Sequence, residues 1–310
     1  MNRQIATYCN IDLWLVKPHD KLKTRENHPD VDTIHCPTGS PVHIDQFIKG
    51  VDTVVFCEMP YYSTLIDVCK AKGKRTVCVP MMEWMPAGGK GWPQQVDLFL
   101  CPTQQCYDVF KNTVPCTYFP WPVDTQRFKF QPRTVCNQFL FCNGNGGWKG
   151  RKGGSVIREA LAIWPEMPLL IRSQLKEDWP TGVEVLPEVA ENYELYERGD
   201  VLVSPHSVDG LGLEGMEAMA CGMPVISTDG LPWDEIPALD RIDSLSEKRS
   251  VRRPVDWYLP KAADLVHWCK YRLGKPIDEA STEAHDWAMS MSWDKLKDQF
   301  QELVLNGARS

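Results

Sequence analysis

Short apolar runs alternate with longer stretches whose apolar residues recur at three and four spacing, and no other feature constrains the fold as much. Runs such as TVVFCE (residues 53–58) and RTVCVP (75–80) are too short for buried helices and rich in residues that favour strands. The stretch between them, 62–72, has helical spacing. Strand, helix and strand in turn predict parallel strands covered by helices on both faces, an α/β protein.

RQIATYC (3–9) and DLFLCPT (97–103) read as further strands, QQCYDVFKN (104–112) as a helix and CTYFPWPV (116–123) as an extended segment. The periodicity then lapses over VDTQRFKFQPR (123–133), where charges and a proline intervene, as expected of an interdomain linker. A second alternation follows, with strands expected at 137–146, 168–174, 183–187, 200–205 and 223–228 and helices at 155–165, 191–199 and 213–222. Beyond 260 the pattern is helical, at 261–273 and 282–305, the latter with an apolar stripe of Trp293, Leu296, Phe300 and Leu303.

A chain of 310 residues accommodates two such domains, and a net charge of −7 argues against a surface built to attract phosphate polymers or anionic lipid. The 12 cysteines are scattered singly through apolar runs, with no CxxC pair, which fits reduced buried thiols better than structural zinc. No stretch has the length and apolarity of a signal peptide or transmembrane segment, so the expected location is cytoplasmic.

Two loops carry the chemistry. In SPHSVDGLGLEG (204–215) a strand gives way to a helix through two glycines, which let a backbone approach a ligand closely. Asp209 precedes the glycines, and Glu214 and Glu217 share roughly one helix face, so that one of them looks back at the loop. A carboxylate there suits vicinal hydroxyls of a sugar. The bland alternative is a glycine turn followed by a solvated Glu217, with Gly222 capping the helix. In FCNGNGGWKGRKGGSVIREA (141–160), Lys149, Arg151 and Lys152 lie on a glycine-rich loop between a strand and a helix. It can cradle a diphosphate, or be an exposed basic hairpin; it is not a Walker motif.

The segment DVLVSPHSVDGLGLEGMEAMACGMPVIST resembles the signature of retaining, nucleotide-sugar-dependent glycosyltransferases of the family-four type, most closely from Glu217 to Ile226. PVDTQRF is similar to that family's interdomain segment, RKGG to its Lys-Gly loop, and AMSMSWDKLKDQF to its C-terminal crossing helix. The resemblance implies the GT-B fold: two Rossmann-like doubly wound parallel-sheet domains facing a cleft. The first would span 1–130 on the acceptor side, with a crossing helix at 282–306 returning to it. The second, 131–281, would bind the nucleotide-sugar donor.

By the same resemblance Glu217 holds the ribose, the amides of Gly210, Leu211, Gly212 and Leu213 meet the donor phosphate and sugar, and Lys152 neutralises the diphosphate. Catalytic roles then fall to Asp209, Lys152 and Glu217. Two departures stand out. The first acid is Asp209 where the family has glutamate, and the family's arginine ahead of the Lys-Gly falls on glycine or asparagine, so Arg151 or Lys149 would substitute.

The implied reaction retains configuration and needs no protein nucleophile. It also needs no metal, since cations and helix amides stabilise the departing phosphate. No cofactor is expected beyond the nucleotide-diphosphate sugar that serves as donor substrate. His206 is read as a core or supporting residue. The acceptor, whether glycan, lipid, small molecule or modified DNA base, would meet Glu83, Trp84 and Trp92 in MMEWMPAGGKGWPQQ, although both tryptophans could equally pack the domain edge. Alternative readings are a viral-type DNA base glycosyltransferase, a GT-B epimerase or phosphorylase, and a nucleotide-sugar-binding module without catalysis.

Overall fold

A computed structural model describes residues 48–60, 63–86, 91–144, 150–247 and 256–306, together with Ile5, Tyr8 and Cys9. The chain forms two compact units: one runs to Trp121 and takes up Trp293 onward, and the other runs from Pro122 to Ser292.

In the first unit, β1 (Thr53–Glu58), β2 (Arg75–Pro80), β3 (Leu98–Cys101) and β4 (Cys116–Tyr118) lie side by side in that order, all parallel. Val77, Val79, Phe99 and Leu100 are fully buried, as parallel strands covered on both faces require. Helix α1 (Ser63–Ala71) contributes Ile66 and Cys69 to this core. Helix α2 (Gln104–Phe110) starts where the Thr103 hydroxyl accepts the Cys106 N–H at 3.1 Å, and it sets Phe110 edge-on to Phe99.

The second unit holds β5 (Phe139–Gly144), α3 (Gly154–Ile163), β6 (Leu169–Ser173), β7 (Glu184–Leu186), β8 (Val201–Ser204), α4 (Leu213–Ala220), β9 (Val225–Thr228) and β10 (Asp240–Ile242). These strands form a parallel sheet in the order β10-β9-β8-β5-β6-β7. The chain therefore leaves β5 toward one edge, then returns to its other side at β8. That reversal between β5 and β8 is the point where open α/β sheets bind ligands, beyond the strands' carboxyl ends. Buried Phe139, Phe141, Ile157, Leu169, Ile171 and Val203 fill the core beneath it. Helix α4 ends in a Schellman turn, with Gly222 at φ 73° and its N–H on the Met219 carbonyl while Met223 N–H reaches Ala218. A two-stranded antiparallel ribbon, β11 (Ser244–Glu247) and β12 (Trp257–Pro260), precedes α5 (Ala262–Arg272) and α6 (Asp278–Ser290); α7 (Trp293–Asn306) completes the first unit. No helix among the described residues is long and apolar enough to cross a membrane.

Three sequence expectations need correction. The run at 3–9 is not a strand where it is described: Ile5, Tyr8 and Cys9 are helical. Ile5 and Cys9, four apart, are both buried, and Tyr8 stacks on Trp293 at 5.9 Å. The helical pattern over 282–305 is two helices, because the two halves bury their faces in different cores. In α6, Ala284 and Ala288 are buried and His285 Nδ1 lies 3.0 Å from the Ala220 carbonyl, whereas α7 buries Val304 and sets the rings of Trp293 and Phe300 beside Trp121 and Phe119. Leu296 and Leu303 flank that buried stripe, half exposed. Residues 123–133, finally, are not a loose connection. Phe128 is buried against Tyr196, and Arg133 donates to the carbonyls of Gln131, Tyr196 and Gly199.

Candidate functional site

The loops after β5 and β8 are joined by two hydrogen bonds: Ser207 N–H donates to the Arg151 carbonyl at 2.8 Å, and the Arg151 guanidinium donates to the Val208 carbonyl at 3.4 Å. This zipper brings the cations of one loop onto the acids of the other. Lys152 Nζ lies 3.0 Å from Glu214 Oε2 and 3.7 Å from Asp209 Oδ2, and Arg151 lies 3.6 Å from Asp209 Oδ1.

Asp209 is engaged on both oxygens. Oδ1 accepts the N–H groups of Gly210 at 2.8 Å and Leu211 at 3.4 Å, and Oδ2 pairs with His206 Nδ1 at 2.9 Å. The amides of Gly210 and Leu211, expected to face a donor, are thus turned toward Asp209. Gly212 occupies the position before α4, and Leu213 opens the helix; the Gly212 carbonyl takes the Gly215 N–H at 3.0 Å, while the N–H groups of Leu213 and Glu214 have no acceptor within the helix itself. The His206 ring is buried, with Nε2 3.3 Å from Ser204 Oγ and 3.6 Å from Glu214, and Trp233 sits edge-on to it.

Burial opposes the charges of Lys152, Asp209 and Glu214, yet the opposite charges beside each of them prevail. Lys152, with His206 and Arg151, holds Asp209 far below the usual carboxylate range. Lys152 and His206 likewise bring Glu214 down to about 2. Lys152 stays protonated well beyond an ordinary lysine, because Glu214 and Asp209 outweigh its desolvation. Lys152 is therefore permanently charged, and an entering diphosphate would compete with two carboxylates for it.

Glu217 stands apart from this cluster. One turn further along α4, its Oε2 accepts the Tyr196 hydroxyl at 2.9 Å, and burial, reinforced by Glu214 and offset by that bond, pushes its pKa up to about 7. Glu214 and Glu217 thus serve different partners despite their three-residue spacing. Glu214 lies in the first turn, where side chains tilt back toward the loop.

Lys149 lies outside the described residues. Glu83, Trp84 and Trp92 belong to the first unit. Glu83 is buried in a 3-10 turn, Trp84 is 44% exposed, and Trp92 is half-buried with its ring 6.0 Å from Phe99, packing the unit's own core. Sequence reasoning did not assign a partner to Glu214 and missed Tyr196 altogether. Glu214 was legible as a neighbour of Glu217, but nothing in the sequence marks Tyr196, 21 residues away from its partner.

Residues 163–238 match the family described as Glycosyl transferases group 1, a segment that contains Tyr196, His206, Asp209, Glu214 and Glu217 but stops short of Lys152. No curated protein matches the chain in sequence. Among solved structures, the chain is similar to an Anabaena protein, HepE, in complex with UDP and glucose, with TM-score 0.65, 13% identity, and coverage of 96% of this chain and 93% of that one. Sucrose-phosphate synthase from Thermosynechococcus elongatus gives TM-score 0.63 at 14% identity, covering 97% and 90%. The GtfA/B complex gives 0.58 at 12% identity, covering 84% of this chain; here the chain spans only 59% of its counterpart. The chain therefore has the two-domain, Rossmann-like fold of the GT-B glycosyltransferases, and its residues 163–238 match the Glycosyl transferases group 1 family.

Proposed function

We propose that this protein is a retaining glycosyltransferase that moves a sugar from a nucleoside diphosphate to an acceptor hydroxyl. One observation carries the reading: at the β5/β8 reversal, Lys152 and Arg151 converge on Asp209 and Glu214, directly ahead of α4 and one turn from Glu217. A diphosphate needs permanent cations and helix-terminal amides, and a ribose needs a carboxylate within a nucleotide's reach of them.

In this reading Lys152, Arg151 and the first-turn amides of α4 take up charge as the bond between the anomeric carbon and phosphate breaks with its electron pair on the phosphate oxygen. The acceptor oxygen bonds to the anomeric carbon on the same face, and its proton passes to the departing phosphate. Asp209 acts beside the transferred sugar and as the counter-charge that keeps Lys152 and Arg151 in place. Neither a protein nucleophile nor a metal ion takes part. UDP-glucose is the first donor to test, because the similar Anabaena structure holds UDP and glucose.

Incubation with UDP-glucose and other nucleotide sugars against pools of sugars, lipids and phenols, read by mass spectrometry, should yield a glycosylated product. Its anomeric proton coupling should match the donor's configuration, and chelators should not reduce the rate. An inverted product, or release of free nucleotide and an altered sugar with no acceptor present, would overturn the proposal.

A further inference from the structure

Among the described residues Glu217 is set apart from the other acids of the site: Asp209 and Glu214 have Lys152 beside them, whereas the hydrogen-bond partner of Glu217 is a neutral phenol. Tyr196, that phenol, is 1% exposed, so its hydroxyl is fixed where it stands. What fixes it is specific. Tyr196 closes the 3-10 helix Asn192–Tyr196, which starts in a capping box formed by Glu191 and Glu194. Arg127 pairs with Glu191 from the segment ahead of β5, Arg133 donates to the Tyr196 carbonyl at 2.7 Å, and Phe128 packs edge-on against the ring at 5.9 Å. Three residues of the stretch read in the sequence as a linker therefore hold one tyrosine.

A carboxylate has two oxygens, and the donor hydroxyl occupies Oε2. Rotation about the terminal bond of glutamate is otherwise soft, so an unpartnered carboxylate would present its oxygens in many directions. Resting on the donor-binding reading above, we infer that Tyr196 is a positioning residue: it pins Oε2 so that Glu217 Oε1 is aimed at the ribose hydroxyls of the nucleotide, with residues 127–133 holding the tyrosine in place. The same hydroxyl favours the ionised carboxylate, the form that can accept two hydroxyl groups. Among the described residues, the other titratable and charged groups acting on Glu217 are Glu214 on its own helix, Arg127 on the preceding segment, Cys142 on β5 and Cys221 at the end of α4. None of them is within hydrogen-bond distance of its carboxylate among the described residues.

The test is Tyr196→Phe, which keeps the ring and its packing and removes the oxygen. Binding of UDP, GDP and ADP and of their 2′,3′-dideoxy counterparts is measured by calorimetry from pH 6 to 9. Wild type should prefer ribose to dideoxyribose; the variant should bind the ribonucleotide about tenfold more weakly, the dideoxy form unchanged. The variant's ribose preference should also emerge only at higher pH, because its Glu217 ionises later. A merely structural tyrosine would weaken both ligands alike and leave the pH profile in place, and that result overturns the inference. Should Tyr196→Phe not fold, Phe128→Leu, which loosens the ring without touching the hydroxyl, must show the same selective loss of ribose preference. If wild type binds none of these nucleotides, the donor-binding reading fails as well; if wild type binds them and the variant matches it at every pH, only the role of Tyr196 falls.

Discussion

Gly153 lies against the main chain of Pro205: a Cβ on Gly153, which holds φ 85°, would stand 2.0 Å from the Pro205 carbonyl oxygen. This approach presses the turn after β5 onto the turn after β8 and so sets the distance from Lys152 to Asp209. Gly153→Ala meets both a backbone clash and a left-handed conformation, and should cost about 3 kcal/mol or more. A lowered melting temperature together with lost nucleotide affinity is expected. Unchanged stability would mean the two turns can separate freely.

Lys152 neutralises two nearly buried carboxylates, so Lys152→Met should abolish donor turnover and destabilise the second unit by about 3 kcal/mol at neutral pH. The pH dependence follows from Glu214, whose pKa falls from 4.5 to about 2 on folding. A depressed carboxylate stabilises the fold fully above pH 4.5, and that stabilisation is lost as pH falls from 4.5 toward 2. Denaturation curves of wild type and variant should therefore converge on acidification; parallel curves down to pH 2.5 would contradict the pairing.

Glu217 has the opposite sign. Its folded pKa of about 7 exceeds 4.5, so ionising it in the native state costs stability, progressively as pH rises from 4.5 through 7. Glu217→Gln should thus raise stability by about 2 kcal/mol at pH 8 and have little effect at pH 4. The same substitution should weaken nucleotide binding. A variant that is both less stable at pH 8 and unaffected in binding would remove Glu217 from the site.

Phe300 is packed among Phe119, Trp121 and Trp293, all in the first unit. Phe300→Ala should cost that unit about 3–5 kcal/mol, seen as an early transition in calorimetry. Lys152 and Glu217 lie in the other unit, so nucleotide bound at the proposed site should protect the later transition and leave the early one in place. One shared, unshifted transition would argue against this packing.

The alternation of short apolar runs and amphipathic stretches made the parallel α/β class legible, because parallel strands buried on both faces must be nearly all apolar, as Val77–Val79 and Val201–Val203 are. Local chemistry likewise exposed the β8–α4 turn, the Gly222 cap and the acids around them, since turns and caps depend on residues adjacent in sequence. Periodicity could not separate α6 from α7, because a single stripe reads the same whether one core or two receives it. Nor could spacing reveal that Asp209 is held by His206 and by its own loop's amides, that Glu214 takes Lys152, or that Tyr196 takes Glu217. Lys152 and Glu214 are 62 residues apart in the chain, and their 3.0 Å approach arises from β5 and β8 being neighbours in the sheet. Strand order is a property of the whole core, settled by which faces bury against each other, so the partners of each charge were decided only when the sheet closed up around them.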